Sequence, residues 1–411
     1  MQMILRSGVV MNILIYRYGS ICEPDVITGF EELGNHVHEI TAEIYNKNLL
    51  PSEGVTLLKN ELLAHSYDFV FSINFFPFIS EVCNIFQIRY LCWTVDSPVM
   101  ELYSYSIKNS WNRIFLFDLA QYNEFFPKNP DCIFHLPLAS NPARWDRVIS
   151  HATPTDNRRF SSDISFVGSL YTEKSPYDKL QNPPAYLNGY LDGIMAAQSK
   201  IYGYPFLEEL LTDEMVAEFR EHLPGFYTPP ENFIWDDRIT VTRIYLEPKI
   251  SAMERVATMN LLGSHYPVHL YTGSDTTGLP VKNCGLVKTL TEMPLVFHYS
   301  KINLNITSKS IHDGLPLRIF DVLGCGGFLL TNYQTELAQW FTPGQDLEYY
   351  TGEDDLLEKV DYYLTHGKDR AEIAHNGYET VKKYHNYPER LLQMISLAYG
   401  ISPGNDTEGV L

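Results

Sequence analysis

Residues 301–331 read KINLNITSKSIHDGLPLRIFDVLGCGGFLLT. An apolar strand comes first. A helix begins after Gly-Leu-Pro and ends at Gly-Cys-Gly-Gly, and a second apolar strand follows. Strand, helix and strand joined by short loops make a parallel pair with a crossover. The helix is apolar except for Arg318 and Asp321, which share a face at i and i+3. Asp313 lies just ahead of it. Pro316 suits the first turn, where its missing N–H costs nothing. The amides around Gly314, Leu315 and Leu317 then open onto the positive end of the helix dipole, which favours an anion. Arg318 adds a permanent charge with a bidentate fork. The Asp321 carboxylate can accept two hydrogen bonds from a vicinal diol such as ribose. Phosphate followed by diol along one helix describes a nucleoside diphosphate. An Arg318–Asp321 salt bridge at the helix edge, worth about 0.2–0.5 kcal/mol, is the competing reading. The helix alone leaves both open.

The pattern extends outward from this block. NILIYRY, YDFVFSINF, RYLCWTVD, RIFLFD and CIFHLPL are short apolar runs separated by helical stretches. Such runs read as parallel strands buried on both faces. They form a doubly wound N-terminal domain over 1–155, with 1–10 as a possible tail and Met11 as a rival start to Met1. SHATPTDNRRFSSD reads as a linker. ISFVGSLY opens a second sheet, a helical insertion occupies 176–237, and the sheet resumes through PVHLYTG, CGLVKTL, INLNIT and GGFLLTN. The C-terminal domain spans 156–386. Residues 387–400 form a last amphipathic helix expected to pack back on the N-terminal domain, and 401–411 are a tail. The expected class is α/β, with two doubly wound domains facing a ligand cleft at their strand C-terminal ends.

The 411 residues are 45% apolar and 13% aromatic, enough for large cores, and carry a formal charge of −19. An acidic surface repels phosphate backbones and anionic lipid, which argues against nucleic-acid and membrane-surface partners. Six cysteines without Cys-x-x-Cys spacing read as buried thiols in a reducing compartment. No apolar run approaches the roughly 20 residues of a membrane span. The start is a poor signal peptide. These features point to a cytoplasmic, bacterial-style protein.

Other positions carry paired readings. Gly19 and Ser20 follow the first strand, where backbone amides can approach a phosphate or simply turn the chain. Asp96 ends a strand and can position a hydroxyl or act as a base. Alternatively it sits beside a helix start with Ser97 as cap and Pro98 in the first turn. Asp118 has the same ambiguity. His135 reads more readily as core. Thr307, Ser308 and Lys309 end a strand, and Lys309 either meets phosphate or is solvated. His312 either reaches a ligand or faces solvent. Asp-x-Asp is absent from the sequence, and GEDD at 352–355 suits a helix dipole. No catalytic metal or cofactor is therefore expected, and leaving-group charge falls to arginine, lysine and helix amides.

The 301–331 block resembles the retaining GT-B glycosyltransferases with a glycogen-synthase-like donor domain. Their Glu-x7-Glu element is matched in spacing by Asp313 and Asp321, with Asp in place of Glu. ISFVGSLYTEKSPYDKL is similar to their first donor-domain strand and loop, with Gly168 and Lys174 in place. Ser169 stands where an arginine on the diphosphate is usual, so Arg318 is the substitute expected. His36 and His38 resemble a Gly-His-x-Val strand entry. YLCWTVDSPV, FHLPLA, SFVGSLY and GLPLRIFDVLGCGGF together resemble the CgeB-like, spore-maturation-type glycosyltransferases over roughly 11–398. The resemblance implies a GT-B glycosyltransferase of hexosyl or N-acetylhexosaminyl type, using a nucleoside diphosphate sugar, usually of uridine, with retention. It gives Arg318 and Lys174 to the diphosphate, Asp321 to the ribose, Asp313 and His312 to the sugar, and Asp96 to an unknown acceptor hydroxyl. A nucleotide-sugar epimerase and a non-catalytic protein on this fold are the alternatives.

Overall fold

The computed structural model describes residues 10–173 and 175–401. Lys174 and nearly all of both expected tails lie outside them. The chain divides into two compact units. The first runs to Ala139 and takes in 232–234 and the chain from Tyr384. The second comprises Ser140–Glu231 and Trp235–Lys383.

The first unit holds six parallel strands: β1 (Asn12–Tyr16), β2 (His36–Ile40), β3 (Phe69–Ile73), β4 (Arg89–Trp93), β5 (Asn112–Leu116) and β6 (Ile133–His135). Their order is β2-β1-β3-β4-β5-β6. β3 is buried along its whole length, whereas edge strand β2 exposes His36 and His38. That contrast is why the central strands read as continuous apolar runs. The last helix, Tyr387–Ala398, packs on the Glu23–Glu32 helix. At Gly29 an added Cβ would stand 2.7 Å from Leu391 Cδ1. Arg113 ties the end of this last helix to β5 by donating from Nε to the Ala398 carbonyl (3.0 Å).

The second unit holds β7 (Ser162–Val167), β8 (Val268–Tyr271), β9 (Lys282–Asn283), β10 (Ser300–Asn305), β11 (Leu329–Asn332) and β12 (Glu348–Tyr350). Every pairing is parallel, in the order β12-β11-β10-β7-β8-β9. Between β7 and the Glu247–His265 helix lies the helical insertion, whose core of Leu187, Leu191, Phe219 and Tyr245 also takes in Ile250 of that helix.

The stretch 150–163 is not a linker between the units. Thr153 caps the Pro154–Phe160 helix, with Asp156 reaching back in a capping box. Arg159 pairs with Glu292 at 2.9 Å. Just before it, the Trp145 indole of the Pro142–Ser150 helix donates to Ser140 (2.8 Å). Polar caps gave this segment a linker-like composition, so the division falls near residue 140 and not at 155. Among the described residues, no helix is long and apolar enough to cross a membrane.

Candidate functional site

In the second unit the chain proceeds outward from β7 through β8 and β9, then returns to place β10 on the other side of β7. Open parallel sheets bind ligands at such a reversal, outside the strand C-terminal ends. Gly168 and Ser169 follow β7 there, and Ile306 to Lys309 follow β10. Arg255, from the Glu247–His265 helix, spans both loops. Its Nη1 donates to the Ser169 carbonyl and its Nη2 to the Ile306 carbonyl, each at 2.6 Å. Its guanidinium lies 4.4 Å from the Tyr171 ring centre. Arg255 is buried. Burial lowers its pKa first and the nearby Arg318 charge adds to the effect, while Tyr171 and Glu254 oppose it. Guanidinium nevertheless stays charged. Nothing in the local sequence marks this residue, because adjacent glutamate and arginine in a helix are ordinarily solvated. Ser169 itself turns its hydroxyl to Glu173 (2.7 Å). Gly168 continues the sheet, its N–H bonding to the Tyr271 carbonyl (3.1 Å).

The expected helix spans Leu317–Gly324, with Pro316 in an extended conformation at its cap. Arg318 lies over Phe297, 5.1 Å from its ring centre, and 3.8 Å from Asp321. Burial lowers its pKa, with Asp321 opposing. Asp321 is buried and also receives a long bond from the Ser140 hydroxyl (3.5 Å). It therefore does not solvate the helix edge. Asp313 accepts from the Thr335 hydroxyl (2.5 Å). Gln334 donates to the Gly314 carbonyl (3.1 Å), fixing the loop before the helix against the loop after β11. Leu315 is buried beneath it.

Lys309 and His312 are neither solvated nor facing solvent, because two buried glutamates of the Glu247–His265 helix hold them. Lys309 Nζ lies 3.2 Å from Glu254 and His312 Nε2 lies 2.8 Å from Glu247. Lys309 also sits over the Tyr202 ring (4.3 Å). Its charge is thus balanced inside the protein and is not offered to a phosphate. Glu247, Lys309 and His312 line a cavity of about 30 Å³ with Tyr202, Thr307 and Gln334. That volume admits a water or two and no nucleotide.

In the first unit the amides near Gly19 are already engaged. Glu23, buried and paired with Arg17 at 3.0 Å, accepts from the Tyr18 N–H (2.9 Å) and the Gly19 N–H (3.0 Å). A carboxylate fills the turn, as suits the plain strand-to-helix reading of Gly19 and Ser20 and not the phosphate one. The Ser20 hydroxyl accepts a long bond from the Cys22 N–H (3.4 Å). Asp96 follows β4, is exposed, and accepts from Asn74 Nδ2 (2.7 Å). No helix starts at Ser97 and Pro98, since the next element is a short 3₁₀ turn, Met100–Tyr103. Asp118 is buried and caps the Leu119–Phe125 helix. Among the described residues, no group of three His, Cys, Asp or Glu side chains is placed to hold a metal ion.

Comparison with known proteins fits this geometry. Residues 245–396 match the family described as glycosyl transferase-like. No curated protein sequence matches the chain. Among solved structures, the chain is similar to the sucrose-phosphate synthase of Thermosynechococcus elongatus, with TM-score 0.54 and 10% identity over 95% of this chain and 99% of that one. It is similar to a UDP-forming trehalose-phosphate synthase of Burkholderia xenovorans, with TM-score 0.53 and 10% identity over 96% and 100% of the two chains. It is also similar to HepE of Anabaena, solved with UDP and glucose, with TM-score 0.50 and 12% identity over 95% and 100%. Over nearly its whole length the chain has the two-sheet α/β fold of the GT-B glycosyltransferase structures, and its residues 245–396 match the glycosyl transferase-like family.

Proposed function

We propose that the protein transfers a sugar from a uridine diphosphate donor to an acceptor hydroxyl, with retention and in the manner of the CgeB-like glycosyltransferases. The observation that carries this reading is Arg255 bridging the β7 and β10 loops where the sheet order reverses. A fixed cation there, with Arg318 within electrostatic reach, favours a diphosphate in an otherwise acidic protein. The amides of Gly314 and Leu315 and the start of the Leu317–Gly324 helix add donors to the same anion. Lys174 adds a second charge. Asp321 takes the ribose diol, and Asp313, braced by Thr335, takes the sugar hydroxyls. His312 acts from behind, positioning the Asp313 loop through Glu247. The UDP complex of HepE and the UDP-forming activity named for the trehalose-phosphate synthase support uridine as the base. In a retaining transfer the departing phosphate takes the acceptor proton on its own face, so no protein nucleophile is required.

Incubation of the full chain with a panel of UDP-sugars, read by chromatography of the nucleotide and the sugar, tests the reaction. Slow release of UDP with free sugar, accelerated by an acceptor, is the expected result. Interconversion of one UDP-sugar into another without release would replace transfer by epimerisation. No change in any donor would contradict both.

A further inference from the structure

Part of the helical insertion returns to the second sheet. Between its Ala185–Gln198 and Leu207–Leu210 helices the chain makes a short loop over 199–206. Gln198 is buried and spends its amide on that loop. Its Nε2 donates to the Ile201 carbonyl (3.3 Å) and to the Tyr204 carbonyl (3.0 Å), and its Oε1 accepts from the Phe206 N–H (3.0 Å). One buried side chain pins the loop at three points, so the loop cannot drift without breaking hydrogen bonds away from water.

The tip of the loop is seated on the ends of the strands. Tyr202 stands edge-on to Tyr350 at the end of β12, with ring centres 6.2 Å apart. Its face carries the Lys309 ammonium at 4.3 Å, and the Lys309 N–H is fixed in turn by the Ser251 hydroxyl (2.9 Å). Gly203 has a left-handed backbone (φ 73°) and lies against the residues after β11. A Cβ added to it would stand 3.0 Å from Thr335 Cγ2 and 3.0 Å from Tyr333 Cε1. Conformation and space both call for glycine here.

Thr335 faces two ways. Its methyl meets the insertion loop at Gly203, and its hydroxyl donates to the Asp313 carboxylate (2.5 Å). The Glu336 N–H adds a bond to the Asp313 carbonyl (3.3 Å). A β-branched side chain is stiff at χ1, so methyl and hydroxyl move together. Pressure on the methyl from Gly203 takes the hydroxyl off Asp313.

We propose that the insertion loop determines donor-sugar specificity: Gly203 sets Thr335, and Thr335 sets the Asp313 carboxylate against the sugar. This deepens the transferase reading and rests on it, since Asp313 must meet the sugar. Gly203 and Thr335 are positioning residues. The loop governs the share of donor affinity that comes from the sugar, and not the share that comes from the nucleotide.

The test is calorimetry of the full chain with UDP, UDP-glucose, UDP-galactose and UDP-N-acetylglucosamine. Wild type should hold one of the three UDP-sugars more tightly than the others. Gly203→Ala should weaken that donor about tenfold, the loss expected when a hydrogen bond to a carboxylate is displaced, and should bind UDP as wild type does. Thr335→Ser removes the methyl that the new Cβ would strike and keeps the hydroxyl. The double variant of Gly203→Ala and Thr335→Ser should therefore regain donor affinity over Gly203→Ala alone, a recovery that general damage to the fold does not produce. Gln198→Leu, which frees the loop without a clash, should also blunt the preference among sugars and serves where Gly203→Ala melts early. Equal losses for UDP and UDP-sugar, no recovery in the double variant, or an unchanged preference in both Gly203→Ala and Gln198→Leu would overturn the proposal and leave the donor reading standing. So would a wild type that holds the three UDP-sugars alike. A wild type that binds none of them would remove the donor reading and the proposal with it.

Discussion

The guanidinium of Arg255 lies 2.6 Å from the carbonyl of Ser169, the position where a donor-loop arginine was expected and a serine stands. The charge arrives from a helix 86 residues further along the chain. It is not mobile, because its second nitrogen is tied to Ile306 at the end of β10. One side chain therefore supplies a cation and also sets the spacing of the two loops that would flank a diphosphate.

Those two roles separate by substitution. Arg255→Lys keeps the charge but cannot fork to both carbonyls. UDP affinity should fall about tenfold, about 1.4 kcal/mol, with a modest loss in melting temperature. Arg255→Ala leaves two backbone carbonyls without their donor, at about 1–3 kcal/mol each. It should melt clearly earlier than the lysine variant. Calorimetry and thermal melts on both read this out, and equal effects of the two substitutions would show that the fork is irrelevant.

The Gly-Gly pair that ends the Leu317–Gly324 segment should respond at each position for a different reason. Gly326 has a positive φ of 68°, and an added Cβ would meet nothing nearer than His298 Nδ1 at 4.0 Å. Gly326→Ala should cost about 1–2 kcal/mol from conformation alone, and Gly326→Asn should cost less. Gly327 is confined instead. An added Cβ would stand 2.6 Å from the Phe297 carbonyl oxygen and 2.7 Å from Asn303 Nδ2. Gly327→Ala should cost about 1–3 kcal/mol, and Gly327→Asn more. Urea denaturation of the four variants checks the opposite ordering of Ala and Asn at the two sites.

Much of this could be read from residues 301–331. The strand, the helix start after Pro316, the apolar strand and the shared face of Arg318 and Asp321 all follow from local spacing. Local spacing fails where distant segments meet. Arg255 and Glu254 look like a solvated pair until β7 and β10 enclose them. Lys309 looks solvated until Glu254 is placed beneath it. Asn74 is one polar residue in an aromatic run, and nothing nearby says that its backbone is left-handed or that Asp96, two loops away, is its partner. The first glycine turn failed for a different reason. A backbone turn suited to phosphate is equally suited to the protein's own carboxylate, and Glu23, four residues on, takes it.

The buried pair of Glu254 and Lys309 should leave a mark on stability against pH. Burial pushes the Glu254 carboxyl above its ordinary range, with Lys309 opposing. In the window from about pH 4.3 up to the folded value, the folded chain holds a proton that the unfolded chain has released. That contribution to stability is full below the window and is lost as pH rises through it. Glu254→Gln also leaves Lys309 without its partner, so the slope and not the absolute stability carries the comparison. Urea titrations from about pH 4 to about pH 7 should show a flatter profile for Glu254→Gln than for wild type. Parallel profiles would mean that Glu254 titrates as it does in the unfolded chain.

The nucleotide site itself is tested most directly by calorimetry of the full chain with UDP, GDP and CDP, on wild type and Asp321→Ala. UDP should bind wild type with the greatest affinity of the three, and Asp321→Ala should lose about tenfold or more while remaining folded. Failure of every nucleotide to bind wild type at millimolar concentration, or equal binding by Asp321→Ala, would contradict a nucleoside diphosphate seated on the Leu317–Gly324 helix.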